Sequence, residues 1–188
     1  MNAPKSVCVF CGHQPGADPA YMAAARAVGK ALAEARVDLV YGGGHMGMMG
    51  AMADACLNAG GRAIGVIPNF LTRLEAAHKG LTEMILVEDM DVRKHRMFAL
   101  SEAFIVLPGG FGTLDETFEA ITLSQLQVHH KPLVVVNIQG FFDPLRAMVA
   151  DTVGEGFASP EHGRLFQFVP GVSEAMTALG LRHTKAAQ

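Results

Sequence analysis

Two adjacent carboxylates, Asp115 and Glu116, follow one residue after the glycine run Pro108-Gly109-Gly110-Phe111-Gly112-Thr113. Glycines let a backbone turn sharply and come close to a ligand. The apolar residues 103–106 before the run read as a buried strand, and the spacing of residues 117–121 after it is helical. The free N–H groups and positive dipole end of a helix start favour an anion such as phosphate. Carboxylates at the same spot add general acid–base or electrostatic chemistry to binding. Plainer readings stand beside this one. The turn also suits strand-to-helix packing, and acids in a first helical turn are ordinary dipole partners.

Other chemistry-bearing residues are spread along the chain. Arg93-Lys94 lies a turn inside a helix start, where cations oppose the dipole. They read either as site residues or as a solvated face paired with Asp89 and Asp91. Glu75 stands in a loop after Pro68 that could reach the same region, which spacing alone does not show, and His45 follows a second glycine turn. His129-His130 falls at the far end of its helix, which argues against a catalytic or metal role. Cys8 and Cys11 form a C-x-x-C inside a strand-like run, not at the helix start that a redox motif needs. They read as small buried hydrophobes, with Cys11 bordering a pocket. Met46, Met48, Met49 and Met52 read as packing material.

The elements that must position these residues alternate. Strands are expected at residues 6–10, 38–41, 63–67, 83–87, 104–107, 133–137 and, as a short last one, 165–169. Helices are expected at 21–35, 46–58, 89–101, 113–128, 141–152 and 172–181, the first capped by Asp18 with Pro19 following. Pro68 is expected to stop the third strand. Solid apolar strands alternating with helices call for an α/β fold: a Rossmann-like, doubly wound parallel sheet of six to seven strands, helices on both faces. Ligands in such sheets sit at the carboxyl ends of the strands, where strand order switches. Three glycine turns, 12–16, 42–47 and 108–113, belong on that edge. None ends in the Gly-Lys-Ser/Thr of a P-loop.

At 188 residues the chain is expected to form a single domain, 1–188. Half the residues are hydrophobic, 18% are charged, and the net charge of -3 supports no general nucleic-acid surface. No apolar run is long enough to span a membrane, and the first residues lack the apolar core of a signal peptide. A cytoplasmic protein is the expectation.

Taken together, the motifs resemble the LONELY GUY proteins, often labelled "possible lysine decarboxylase". Residues 108–116 match their Pro-Gly-Gly-x-Gly-Thr-x-x-Glu pattern. Asp89-Met90, Arg93-Lys94 and Met97 fill their Asp-Met-x-x-Arg-Lys-x-x-Met pattern, and Tyr41-Gly42-Gly43-Gly44 is also similar. The resemblance spans residues 7–145. It implies a homodimer that hydrolyses the N-glycosidic bond of AMP or N6-modified AMP (cytokinin riboside 5′-monophosphates), giving the free base and ribose 5-phosphate. By that resemblance Arg93 and Glu116 are the catalytic pair. Gly110, Gly112 and Thr113 hold the phosphate, with Gly109 and Phe111 in the same turn. Glu75, Lys94 and Thr122 complete the nucleotide site, and Gly43 and Gly44 border it.

Glu116 would stabilise the positive charge on the ribose and orient or deprotonate the attacking water. Arg93 would clamp phosphate or ribose or aid the leaving base. No metal or cofactor is required. A decarboxylase would need pyridoxal phosphate on a lysine, and no motif supports one. The competing expectation is a non-enzymatic nucleotide-binding protein or a molybdenum-cofactor carrier, which needs the glycine turns but not the Arg93 and Glu116 pair. The chain departs from the family at Thr122-Leu123-Ser124-Gln125 and at Phe141-Phe142, which puts base preference rather than reaction type in question.

Overall fold

The computed structural model describes residues 3–72 and 77–181. Its elements run β1 (Ser6–Phe10), α1 (Pro19–Glu34), β2 (Asp38–Tyr41), α2 (Gly47–Asn58), β3 (Ala63–Pro68), β4 (Glu83–Val87) and α3 (Met90–Ala99). They continue with β5 (Ala103–Val106), α4 (Phe111–Gln125), β6 (Leu133–Val136), α5 (Asp143–Gly154), β7 (Gln167–Val169) and α6 (Val172–Ala178). All pairings are parallel, in the order β4-β3-β2-β1-β5-β6-β7. The strands β1, β5 and β6 are apolar on both sides because both sides are covered. Val7, Val9, Leu39, Tyr41 and Ile105 pack under α1, α2 and α6, while Cys8, Phe10, Val40, Phe104 and Val106 pack under α3, α4 and α5. The chain winds outward from β1 to β4, then returns to place β5 on the other side of β1. The order therefore switches between β1 and β5, and the turns after these two strands frame a crevice.

The expected elements are present with shifted ends, and each shift has a local cause. The helix expected at 113–128 begins two residues earlier and ends at Gln125, because Gln127 takes a left-handed conformation with φ 60°. The helix expected from 141 starts at Asp143, since Asn137 Oδ1 accepts the Phe142 N–H at 2.7 Å and holds a short turn ahead of it. The last strand shortens to 167–169 because Leu165 closes a turn onto His162. The last helix stops before Gly180, where φ is 71°. Pro68 ends β3 from within it rather than from outside. The β2 pairing has already finished at Tyr41 and Gly65, so the missing N–H interrupts no ladder there. Asp18 caps α1 as expected, its Oδ1 accepting from Ala20 N at 2.8 Å.

Among the described residues, no helix is long and apolar enough to cross a membrane. His129 lies against Phe104 and Lys131 Nζ donates to the Phe98 carbonyl at the end of α3. This is the edge opposite the glycine turns, as the helix lengths implied.

Candidate active site

The turns after β1 and β5 are joined directly: Gly12 N donates to the Pro108 carbonyl at 3.1 Å. Gly12 in turn accepts from Met49 N at 3.3 Å, which draws the start of α2 to the same point. This close approach requires glycine at 109. A Cβ there would stand 2.1 Å from Thr113 Oγ1 and 2.8 Å from Gly12 N.

The start of α4 is left open. Its first intrahelical bond runs from Leu114 N to Gly110 O, and no side chain caps Gly110. The N–H groups of Phe111, Gly112 and Thr113 precede that bond and so lie outside the helical ladder. By contrast, α3 is closed by Asp89, whose Oδ1 accepts from Val92 N at 2.8 Å. An uncapped helix start in a crevice is a ready site for an anion.

Arg93 comes from α3 and is buried. It fills the notch left where β2 has ended and β3 continues. Its Nε donates to the Val66 carbonyl at 3.1 Å and its Nη2 to the Gly42 carbonyl at 3.2 Å. Its Nη1 stands 3.3 Å from Glu116 Oε1, and both side chains are only 8% exposed. Gly42 makes room for this guanidinium, since a Cβ there would lie 1.9 Å from Nη2. The surface reading of Arg93 with Asp89 and Asp91 is therefore overturned: Asp89 is spent on its own helix cap, and Arg93 points inward to Glu116. The planar fork suits Arg here and Lys poorly, because one group must satisfy carbonyls and a carboxylate in fixed directions.

The pair lines a cavity of about 680 Å³, open to solvent, whose wall also holds Cys11, Gly12, His13, Gly42, Met49 and residues 110–113. An adjoining cavity of about 450 Å³ is apolar, walled by Tyr21, Met48, Pro108, Gly109 and Phe141. The Tyr21 and Phe141 rings meet edge to face at 5.8 Å. Gly12, His13 and Gly110 belong to both cavities. Burial, reinforced by the Glu116 carboxylate, pushes the Cys11 thiol well up. It is a packing group at this wall, not a thiolate. Among the described residues, no three His, Cys, Asp or Glu side chains gather as a metal site would need.

Of the residues expected at the site, Arg93, Glu116, Gly110, Phe111, Gly112 and Thr113 line the first cavity and Gly109 lines the second. Lys94, Thr122, Gly43 and Gly44 line neither. Lys94 is held instead by Glu119 at 2.7 Å and Asp115 at 3.1 Å on the flank of α4. Gly43 and Gly44 dock the chain that follows β3, accepting from His78 N and bridging to Ala77. His45 meets His78 edge to face at 5.2 Å, and His78 meets Asp54 Oδ1 at 2.9 Å, away from the cavity. Glu75 lies outside the described residues. Sequence reasoning missed Gly42 and His13 as individual wall residues and Tyr21 altogether. Gly42 and His13 were visible only as members of glycine turns, and Tyr21 only as a helix residue.

Comparison with known proteins finds relatives that cover most of the chain. A family model described as "possible lysine decarboxylase" matches residues 49–179. A cytokinin riboside 5′-monophosphate phosphoribohydrolase of Rhodococcoides fascians is 47% identical over 158 residues, covering 84% of this chain and 80% of that protein. The phosphoribohydrolase LOG1 of Arabidopsis thaliana is 40% identical over 186 residues, covering 97% of this chain and 87% of its own. Among solved structures, the molybdenum cofactor binding protein of Rippkaea orientalis superposes with a TM-score of 0.72 at 19% identity, covering 96% of this chain and 97% of that one. That likeness shows a common fold. The fold, the open α4 start with its charged pair and these relatives together show that the chain belongs to the LONELY GUY family of cytokinin riboside 5′-monophosphate phosphoribohydrolases.

Proposed function

We propose that the chain hydrolyses the N-glycosidic bond of AMP and N6-modified AMP, releasing the base and ribose 5-phosphate. The observation that carries this reading is the buried Arg93 and Glu116 pair, 3.3 Å apart, in the wall of the cavity that the open start of α4 faces. The 5′-phosphate would accept from the N–H groups of residues 111–113. That binding energy would hold the ribose over Glu116. As the C1′–N9 bond breaks, its electron pair leaves with the base and positive charge grows on the ribose. The Glu116 carboxylate stabilises that charge and takes a proton from the attacking water. Arg93 has its Nε and Nη2 committed to backbone carbonyls, so its role is to hold Glu116 in place rather than to follow the substrate.

The apolar cavity walled by Tyr21 and Phe141 suits the base and an N6 substituent. A carrier role would not require a buried ion pair in the cavity wall. Decarboxylation fits worse, because pyridoxal phosphate needs a lysine and none lines either cavity among the described residues. The outward face of α4 carries Phe118, Thr122 and Leu126 at successive helical turns, with Phe118 38% and Leu126 65% exposed. A homodimer through that face would bring Thr122 to a shared border.

The deciding assay incubates the protein with AMP and with N6-isopentenyl-AMP and separates the products. Free base with equimolar ribose 5-phosphate is expected from both. Unchanged nucleotide, or release of inorganic phosphate instead, would overturn the reading.

A further inference from the structure

Departure of a purine from N9 leaves negative charge on the ring unless a proton arrives at N7 or N3, so an acid is needed opposite Glu116. Among the described residues, the ionisable side chains of the two cavities are Cys11, His13, Tyr21, Arg93 and Glu116. Glu116 is the carboxylate partner of a buried guanidinium. Arg93 does not release a proton in a protein. The Cys11 thiol is held back by burial. A phenol is an acid roughly three units weaker than an imidazolium. An imidazole is the side chain suited to proton transfer near neutrality.

His13 also stands in the correct place. It belongs to the wall of both cavities, at the border between the charged ribose-phosphate space and the apolar base space. Its backbone is held on both sides. Gly12, just before it, is bonded to Pro108 and Met49. Gly47, with φ 58°, packs so closely that a Cβ would lie 2.2 Å from the His13 carbonyl. The residue is exposed, and therefore open to solvent protons.

We infer that His13 is the general acid that protonates the leaving purine. The inference rests on the hydrolase reading above. The step balances as follows. Water oxygen bonds to C1′, the C1′–N9 pair passes to the base, His13 gives its proton to the ring nitrogen, and Glu116 takes the proton from water. Solvent then restores both groups. Among the described residues, the charged and titratable groups around His13 are Arg93, Glu116 and Cys11 on the phosphate side and Tyr21 on the base side.

The test compares wild type and His13→Gln on AMP and on 7-methylguanosine 5′-monophosphate, whose base is already cationic and leaves without a proton. On AMP, kcat should fall about 100-fold with KM little changed, and the alkaline fall of the wild-type pH profile should disappear. On the methylated nucleotide, the variant should stay within about threefold of wild type, since no acid is required. Equal losses on both substrates, or an unchanged AMP rate, would overturn the role of His13 while leaving the hydrolase intact. Should wild type not accept the methylated nucleotide, the pH profile decides: an alkaline fall that persists in the variant rejects His13. Wild type that releases no base from any nucleotide would remove the hydrolase reading itself, and this inference with it.

Discussion

Arg93 and Lys94 are neighbours on α3, and both meet carboxylates of α4, yet their pairs have different characters. Lys94 makes the shorter contacts, 2.7 Å to Glu119 and 3.1 Å to Asp115, and its own side chain is only 12% exposed, but Glu119 is 23% and Asp115 58% exposed and the group lies outside the cavity. Arg93 stands farther from Glu116, at 3.3 Å, but both are buried in the cavity wall. Successive residues on a helix point about 100° apart. That angle sends Arg93 to the crevice and Lys94 to the flank, and it separates Glu116 from Asp115 in the same way. Contact distance therefore does not rank these pairs. Burial of both partners does, because a carboxylate removed from water depends on its counter-charge more than one that water still reaches.

Arg93→Met should do the most damage. It takes the cation from beside Glu116 and the donors from the Val66 and Gly42 carbonyls. Chemical denaturation should show a loss of about 3–5 kcal/mol, and base release should cease. A variant as stable as wild type would show that the pair is not worth more than a surface contact.

Glu116→Gln should separate chemistry from folding. Arg93 keeps its two carbonyl acceptors, so the stability loss should be smaller than for Arg93→Met. Turnover should fall at least about 100-fold while AMP still binds by calorimetry. Retained turnover would sink the catalytic assignment.

Gly42→Ala sharpens the contrast without touching a charge. The new methyl would displace the Arg93 guanidinium, the mobile end of a long side chain. The stability cost should be about 1–3 kcal/mol, and turnover should drop about tenfold or more as Glu116 loses its alignment. Equal kinetics in the variant and wild type would show that Arg93 need not be held at Gly42.

The Lys94 pair should matter least. Lys94→Met should cost no more than about 1 kcal/mol at neutral pH and leave kcat within about twofold. Glu119 raises the Lys94 ammonium above its ordinary value of 10.5, against the lowering effect of burial, and Asp115 adds to the rise. Because the folded value is the higher one, this contribution is fully present below that ordinary value and is lost as pH climbs through the folded one. Thermal midpoints of wild type and Lys94→Met should therefore converge in strong alkali. Midpoints that stay equally far apart there would contradict the pairing.

Much was legible in the residues before any coordinates. Apolar runs alternating with helical spacing determined the parallel sheet, since only strands covered on both sides need apolar residues at every position. The glycine run of 108–113 ahead of a helical spacing marked an anion site at a helix start, because a backbone anion site has local requirements. Helix ends were less legible. Gln127 and Asn137 act through one dihedral angle and one hydrogen bond, which composition does not encode.

What only the tertiary structure decided is the direction of side chains contributed by separate elements. Arg93, Asp89 and Asp91 at helical spacing read equally well as a surface network. Only the notch between β2 and β3, opened by the early end of β2 and kept clear by Gly42, turns Arg93 inward to Glu116. The same holds for His13, whose place between two cavities arises from bonds among turns that follow β1, β2 and β5. Local backbone preference is written in neighbouring residues. The meeting of charges from distant segments depends on how the sheet orders its strands.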